Sequence, residues 1–529
     1  MRTLLASTAA NSLRCVLRRG PLRCQAGPAA CRTDWRLPLL VLLCLCASTG
    51  RLPAQETPAV PDGLVVAAAM EQSIIAAIEK AAPSVVAIAR VPKAGAVDVA
   101  QEFQFNVPTL AEPAIDPTDP SYVPLHFASG VILSSDGLIL TCYHALDDPR
   151  QNDYYVWWKG KNAKATVGRA LAKVQAGDPW TDLAVLKIEA TGLPEMPMGD
   201  ARELRRGSAV ISLGNPYATA RDGEPSASWG IVSNLQRAAV PNEPQPDQLL
   251  QDRQSLAEFG TLIQTDAKLN LGSSGGALIN LRGQMVGLTT SLASVAGYDQ
   301  AAGYAIPIDG PTLKIIESLR AGRQPAFGFL GVEPTDSPTG RGAQVARVVP
   351  GLPGEQAGLL AGDVIYSVAG VPTNGAQALF RELSRQPANS EVEILVARFR
   401  LGAAQREKMT VQLGKKQLSL AKPSYSAVPE PTWRGLQVDW ATALPPLQLL
   451  SSRRSGNAEV AILRVDPDTP AWQAGLRPGQ YVLRVNQQPI SRPEQFYESV
   501  ADDAAEVSLE IISNSGRPQR VVVSPAKPD

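Results

Sequence analysis

A chain of 529 residues has room for about three or four domains, and at 44% hydrophobic it has ample material for packed cores. Its 50 basic and 50 acidic residues balance, which removes any electrostatic case for a nucleic acid or an anionic membrane surface as partner. Residues 1–36 carry seven arginines and one acid, Asp34, and an apolar run from Leu37 to Ser48 follows. That run is too short to span a bilayer and has the length of a signal-peptide core, with Leu52-Pro-Ala54 as a small-residue cleavage site. Residues 1–54 therefore read as a targeting segment for secretion to a periplasm-like space. The long Arg-rich stretch leaves an organellar transit peptide or an uncleaved membrane anchor as alternatives. Five of the six cysteines (Cys15, Cys24, Cys31, Cys44 and Cys46) lie in this segment. Only Cys142 remains after it, so no internal disulfide can form, and no Cys/His pair has metal spacing. No metal and no cofactor are expected.

Beyond the targeting segment, Val65 to Lys80 has helical apolar spacing, stopped at Ala82-Pro83, and Val85 to Ala89 reads as a first strand. Residues 92–127 are Pro-rich and irregular, a surface loop that includes His126. Short strands divided by turns such as Ser135-Asp136-Gly137 and Leu281-Arg-Gly283 continue to Pro307, the pattern of a pair of all-β barrels. A helix from Gly310 to Leu319 closes this region, which is taken to run from 55 to 322.

Within it, three segments carry chemistry: Thr141-Cys-Tyr-His144-Ala, Thr181-Asp182-Leu-Ala-Val-Leu and Gly272-Ser-Ser274-Gly-Gly-Ala. A serine hydroxyl is a poor nucleophile at neutral pH and needs a base. Histidine has a pKa suited to that task, and a buried carboxylate can hold its ring in the right tautomer. Of the two histidines, only His144 ends a strand-like run, Leu138 to Thr141. The order His, Asp, Ser is that of chymotrypsin-type double barrels. Gly272 and Ser274 can supply two main-chain N–H donors to an oxyanion, and Gly275 and Gly276 let the chain leave the turn without a Cβ clash. Taken alone, Ser-Gly-Gly is a loop motif of little specificity. Cys142 invites a nucleophile reading, but a lone cysteine beside a complete Ser/His/Asp set is more often a packed core residue.

The C-terminal half contains a repeat. Glu355-Gln-Ala-Gly-Leu-Leu-Ala-Gly-Asp363-Val-Ile returns as Trp472-Gln-Ala-Gly-Leu-Arg-Pro-Gly-Gln480-Tyr-Val, and Gly328-Phe-Leu-Gly331-Val pairs with Arg434-Gly435-Leu-Gln437-Val. The units are placed at 323–415 and 433–526, joined by a linker, 416–432, whose three prolines argue for an extended, exposed segment.

These motifs, with Asp136-Gly-Leu-Ile-Leu-Thr-Cys-Tyr-His144, Leu213-Gly-Asn-Pro216, Ile263-Gln-Thr-Asp266-Ala and Gly303-Tyr-Ala-Ile-Pro307, resemble the HtrA (Deg) family of trypsin-like serine proteases with tandem PDZ domains. The resemblance runs from about Glu71 to the C-terminus. It departs at Ser273, where the family usually has Asn, and at Leu271. It implies a mainly β fold: a chymotrypsin-like double β-barrel followed by two α+β PDZ domains. It also implies an ATP-independent endopeptidase for unfolded or damaged proteins, with Ser274 as nucleophile, His144 as base, Asp182 as its orienter, and a homotrimer or larger assembly of trimers. By resemblance Leu269 and Leu292 form a shallow apolar specificity pocket, with Lys268 turned to solvent. A PDZ domain takes an extended C-terminus as an added strand while loop N–H groups hold its carboxylate. Phe329, Leu330, Gly331 and Val332 fit that loop, Gly331 giving the backbone close approach. The second unit has Gln437 opposite Gly331, so a structural role there is as good a reading as peptide binding. A different class competes with the protease: a protease-derived chaperone or a PDZ peptide-binding regulator.

Overall fold

The computed structural model describes residues 63–93, 124, 126–159, 167–215, 224–238, 254–290, 303–400, 403–444, 459–501 and 505–525. The targeting segment, most of the Pro-rich loop and Leu292 lie outside the described residues.

Helix α1 (Gly63–Ala81) runs slightly beyond the span that its periodicity predicts and stops at a 3₁₀ turn, Ala82–Ser84, that begins beside Pro83. Six strands then form the first barrel: β1 (Val85–Pro92), β2 (His126–Ile132), β3 (Leu138–Cys142), β4 (Asn152–Trp158), β5 (Gly168–Asp178) and β6 (Leu183–Lys187). Their hydrogen-bonded order is β5-β4-β1-β2-β3-β6, and β6 pairs back onto β5. The closure depends on a bend in β5, which pairs with β4 over 168–172 and with β6 over 173–178, across a bulge at Val174/Ala176. His126 is not in a loop, as expected, but opens β2 opposite Arg90.

The second barrel is closed by β7 (Ala209–Gly214), β8 (Ser226–Arg237), β9 (Leu262–Thr265), β10 (Ala277–Ile279), β11 (Met285–Thr290) and β12 (Gly303–Pro307). Strand alternation divides the apolar residues between two cores. On β1, Val86 and Ile88 fill the first barrel while Val85 joins the core between the barrels, with Leu140, Val185, Ile211, Leu213 and Leu288. Helix α2 (Gly310–Arg320) is capped by the Asp309 carboxylate and packs Ile315, Ile316 and Leu319 into that shared core.

Each repeat unit is a sheet with a helix. In the first, the strands run Val332–Asp336, Ala343–Val348, Val364–Val368, Glu391–Arg400 and Ala403–Gln412, with helix Ala376–Leu383. In the second they run Leu436–Trp440, Val460–Val465, Tyr481–Val485, Val507–Ile512 and Pro518–Val523, with helix Pro493–Ser499. Matching hydrogen bonds fix the equivalences. Val345 N donates to Asp363 O, as Ile462 N does to Gln480 O, and the side chains of Asp363 and Gln480 each accept from the main-chain N–H three residues earlier. Upstream, Val349 N donates to Gly331 O as Asp466 N does to Gly435 O. Gly331 therefore corresponds to Gly435 and not to Gln437. The two-residue slip preserves strand alternation, so the apolar pattern alone could not expose it.

The linker also departs from expectation. Leu418 and Leu420 pack against the inter-barrel core, and Tyr425–Ser426 forms a short strand, β13, on β5, so the linker as far as Ser426 lies along the protease and is not extended away from it.

Candidate active site

His144 lies in a single 3₁₀ turn, Tyr143–Ala145, directly after β3, and Asp182 immediately precedes β6. Pairing of β3 with β6, down to Cys142 opposite Leu183, brings the two together. The imidazole Nδ1 lies 2.8 Å from Asp182 Oδ2 and 3.0 Å from Oδ1, while the His144 main-chain N–H donates to Oδ1 at 2.9 Å. Thr290 Oγ1 donates to Asp182 Oδ2 at 3.4 Å. Asp182 is nearly buried, and its φ of +60° is a left-handed conformation that a non-glycine residue seldom takes. Strain of this kind persists only where the surroundings over-determine it. Here the preceding turn does so. Asp178, buried, accepts from the main-chain N–H of Trp180 and from both the N–H and hydroxyl of Thr181, and Asp182 O accepts from Tyr143 N. Burial pushes the Asp178 carboxyl up to about 6.

Burial lowers the His144 pKa, but the charge and hydrogen bond of Asp182 outweigh it, and Lys422 and Arg90 oppose them only in part; the net shift is upward. A carboxylate on Nδ1 leaves Nε2 as the basic nitrogen, the tautomer a general base requires. The Cys142 thiol, fully buried, donates to Thr289 O at 3.4 Å, and burial raises its pKa well above the ordinary thiol value. Its sulfur, the His144 ring and the Asp182 carboxylate have potential ligand atoms within 4.8 Å of one another. A protonated thiol with no solvent access is a poor metal ligand.

Ser274, nearly buried, stands in the turn between β9 and β10, and that turn hangs on the same framework. Ser129 N donates to Ser274 O at 2.8 Å, and Thr141 Oγ1 donates to Ser129 O at 2.8 Å, so β2 ties the serine turn to the strand that leads to His144. Gly275 has φ +84°, and a Cβ there would lie 2.1 Å from Ser129 O and 2.4 Å from Thr141 Oγ1. Only glycine lets the turn approach β2 and β3 this closely. Ser273 Oγ accepts from Asn270 N at 3.3 Å, so the hydroxyl itself closes the turn at the position where Asn is usual. Leu269 is half-buried with its side chain against Gly303, and Lys268 is exposed.

The PDZ residues are more dispersed. Phe329 pairs in a short strand with Gly414, Leu330 is buried, and Val332 begins the edge strand of the first sheet. The space beside Gly331 (φ +77°) is filled by Leu352, whose Cβ would be 2.4 Å from an added one. The domain's own packing thus requires a glycine here. In the second unit, the Tyr497 hydroxyl accepts from Val438 N at 3.0 Å and donates to Val438 O at 3.2 Å, and Trp433 and Leu436 exchange both main-chain hydrogen bonds. Sequence reasoning placed Asp178 in the segment Asp178-Pro-Trp-Thr-Asp182 but gave it no role, and it missed Tyr497 and the linker strand, which carry no motif.

A model of a trypsin-like peptidase domain matches residues 128–288, and a PDZ-domain model matches residues 344–398 and 462–512. The chain is 28% identical over 395 residues to a probable periplasmic serine endoprotease, DegP-like, of Chlamydia trachomatis, covering 73% of this chain and 72% of that one. It is 27% identical over 397 residues to the periplasmic serine endoprotease DegP of Salmonella typhimurium, covering 72% and 73%. A solved structure of an HtrA-type protease, AlgW with a decapeptide, is 26% identical, covers 65% of this chain and 99% of its own, and superposes with a TM-score of 0.43. With a trypsin-like peptidase domain and two PDZ domains in one chain, and similarity to DegP-like serine endoproteases along most of its length, the chain is a serine endoprotease with the domain make-up of the HtrA (Deg) family.

Proposed function

We propose that the chain degrades unfolded or damaged polypeptides outside the cytoplasm, with Ser274 as nucleophile, His144 as general base and Asp182 as its orienter. The observation that carries this reading is the Asp182 carboxylate on His144 Nδ1, 2.8 Å away, in the barrel order His, Asp, Ser. In the proposed cycle His144 Nε2 takes the Ser274 proton as Oγ attacks the peptide carbonyl, and the tetrahedral oxyanion is held by the main-chain N–H groups of Gly272 and Ser274. The imidazolium then protonates the departing amine, leaving an acyl-serine. Water repeats the sequence, giving its proton to His144 and its oxygen to the acyl carbon. The protein supplies every proton transfer, and no cofactor takes part. Leu269, against Gly303, is compatible with a shallow apolar pocket, which Leu292 would complete.

The division into a targeting segment to 54, a protease domain at 55–322, PDZ domains at 323–415 and 433–526 and a linker at 416–432 belongs to the same reading. So do export through a signal peptide, assembly as trimers, and capture of C-terminal peptides by the first PDZ unit through Phe329 to Val332. The first unit is favoured for capture because the second has its edge-strand groups at Val438 taken by Tyr497.

Casein digestion is the test. Ser274→Ala should reduce turnover by several orders of magnitude, as removal of a triad nucleophile does elsewhere. Cleavage at the wild-type rate would refute the assignment, and fragments cut mainly after Asp, Glu, Lys or Arg would refute the apolar pocket.

A further inference from the structure

The linker between the two PDZ units reaches back to the first barrel at the point where that barrel is least complete. Strand β4 covers β5 only over 168–172, so the end of β5 that leads into the Asp178–Asp182 turn has β6 on one side alone. The linker fills the other side. Tyr425 pairs with Gly177 and Ser426 with Ala176, and Ala427 N donates to Gln175 O at 2.8 Å.

The segment is fastened at several points between 416 and 428. Lys416 N donates to Phe327 O at 2.7 Å, Leu418 and Leu420 pack on the inter-barrel core, and Ala421 N donates to Gln254 Oε1 at 2.8 Å. Gln324 Nε2 donates to Tyr425 O at 2.5 Å, and Val428 N donates to Gly322 O at 3.0 Å.

Its ring contact and its shortest hydrogen bond beside the active site both fall on one residue, Tyr143. The Tyr425 ring stacks on the Tyr143 ring at 5.9 Å between centroids and 18° between planes, and Tyr143 Oη donates to Pro423 O at 2.6 Å. Tyr143 is the residue before His144 and begins its 3₁₀ turn, whose closing bond runs from Leu146 N to Tyr143 O. Its own N–H donates to Asp182 O at 2.9 Å. One side of Tyr143 thus holds the left-handed Asp182 and the other side is held by the linker.

We infer that the linker segment Pro423–Ser426 is a strap that positions the His144–Asp182 pair, with Tyr143 and Tyr425 as positioning residues. The inference rests on the catalytic reading of His144 given above. The physical cause is ordinary: a displacement of about 1 Å in a reacting group costs up to about a hundredfold in rate, while Leu269, the proposed pocket residue, stands on the second barrel between β9 and β10. The strap's effect therefore belongs in kcat and not in KM.

The test uses the full chain, a short chromogenic peptide and thermal unfolding, with His144→Ala measured alongside. Tyr425→Ala removes the stacked ring and should lower kcat by about tenfold or more with KM within about twofold. Tyr425→Phe keeps the ring and should restore most of that loss. Tyr143→Phe deletes only the hydroxyl bonded to Pro423 and keeps the variant foldable should Tyr425→Ala not fold; it should lower kcat in the same direction. An inactive His144→Ala with wild-type kcat in Tyr425→Ala and Tyr143→Phe would overturn the strap and leave the catalytic reading standing. Activity in His144→Ala would overturn both. A lowered Tm in the tyrosine variants with kcat unchanged would make the segment a brace and nothing more.

Discussion

At the scale of single residues, the pair His144–Asp182 sets the pH behaviour. Burial lowers the histidine pKa and the Asp182 charge and hydrogen bond raise it further than that, so the ring protonates at a higher pH than an ordinary histidine. A protonated ring cannot accept the serine proton, so kcat/KM should fall on acidification with a midpoint above about 6.5. Asp182→Asn removes the carboxylate. The midpoint should move to lower pH and the rate should drop by about 10⁴-fold, the size seen for this exchange in other Ser-His-Asp sites. An unmoved midpoint would separate the acid limb from this pair. Asp178, behind the pair, shows the linkage with stability. Burial raises its folded pKa to about 6, and its unfolded value is about 3.9. The folded state therefore binds the proton more tightly, so the contribution to stability is full below about pH 4 and is lost as the pH rises through about 6. Asp178→Asn should flatten that slope in denaturant titrations between pH 4 and 7, and an unchanged slope would mean that other groups produce it.

At the scale of elements, the barrels were legible because each motif marks a strand end: β3 runs into His144 and β6 starts after Asp182. Helix α1 could be read from its apolar spacing and from Pro83. What could not be read was pairing between distant segments, such as the fit of Tyr425 onto β5, since three prolines in 416–432 signal extension but not where the chain lies down. The register of the PDZ repeat failed for a related reason: two residues of slip leave the alternation intact. With register corrected, the two edge strands differ sharply. Val438 corresponds to Pro334, each lying just after the bulge of its edge strand. Val438 offers an N–H and a C=O, but Tyr497 takes both. Pro334 has no N–H to offer an added strand. A C-terminal peptide should therefore bind the first unit weakly, held by its carboxylate end. Pro334→Val should tighten binding about three- to tenfold by supplying one main-chain hydrogen bond, and Tyr497→Phe should open a second binding site. Fluorescence titration of the Ser274→Ala chain with an apolar-ended peptide reads both; unchanged affinity and stoichiometry would refute strand addition at these edges.

At the scale of the whole molecule, each PDZ unit has a core of its own, and the first also packs aromatic residues against the protease. Trp180, two residues before Asp182, lies edge-on to Phe259 and tilted against Phe327, and Phe380 from the PDZ helix stands 6.4 Å from Phe259. Lys416 places its ammonium 4.3 Å over Trp180, and burial lowers its pKa to about 8. The second unit instead gathers Trp433, Phe496, Leu509 and Val523 around itself. Beside the aromatic cluster is a nearly buried ion network. Arg385 bonds to the free oxygen of the Asp309 cap of α2 and lies 3.8 Å from Glu382, which also accepts from Arg381 at 2.7 Å. Arg385 and Asp182 line the same cavity, so the network closes the protease from the PDZ side. Removing one member of such a network strands its partners, at a cost of about 3–5 kcal/mol, whereas removing charge from both sides costs far less. Arg385→Met should lower the Tm of the protease transition by at least about 5 °C and leave a transition from the second PDZ unit where it was. Arg385→Met combined with Asp309→Asn keeps the helix cap through the amide oxygen and should recover much of that loss, a coupling that the double-mutant cycle measures directly. Additive losses in the double variant would show that the two side chains are not coupled, and a shift of both transitions together would show that the second PDZ unit unfolds with the rest.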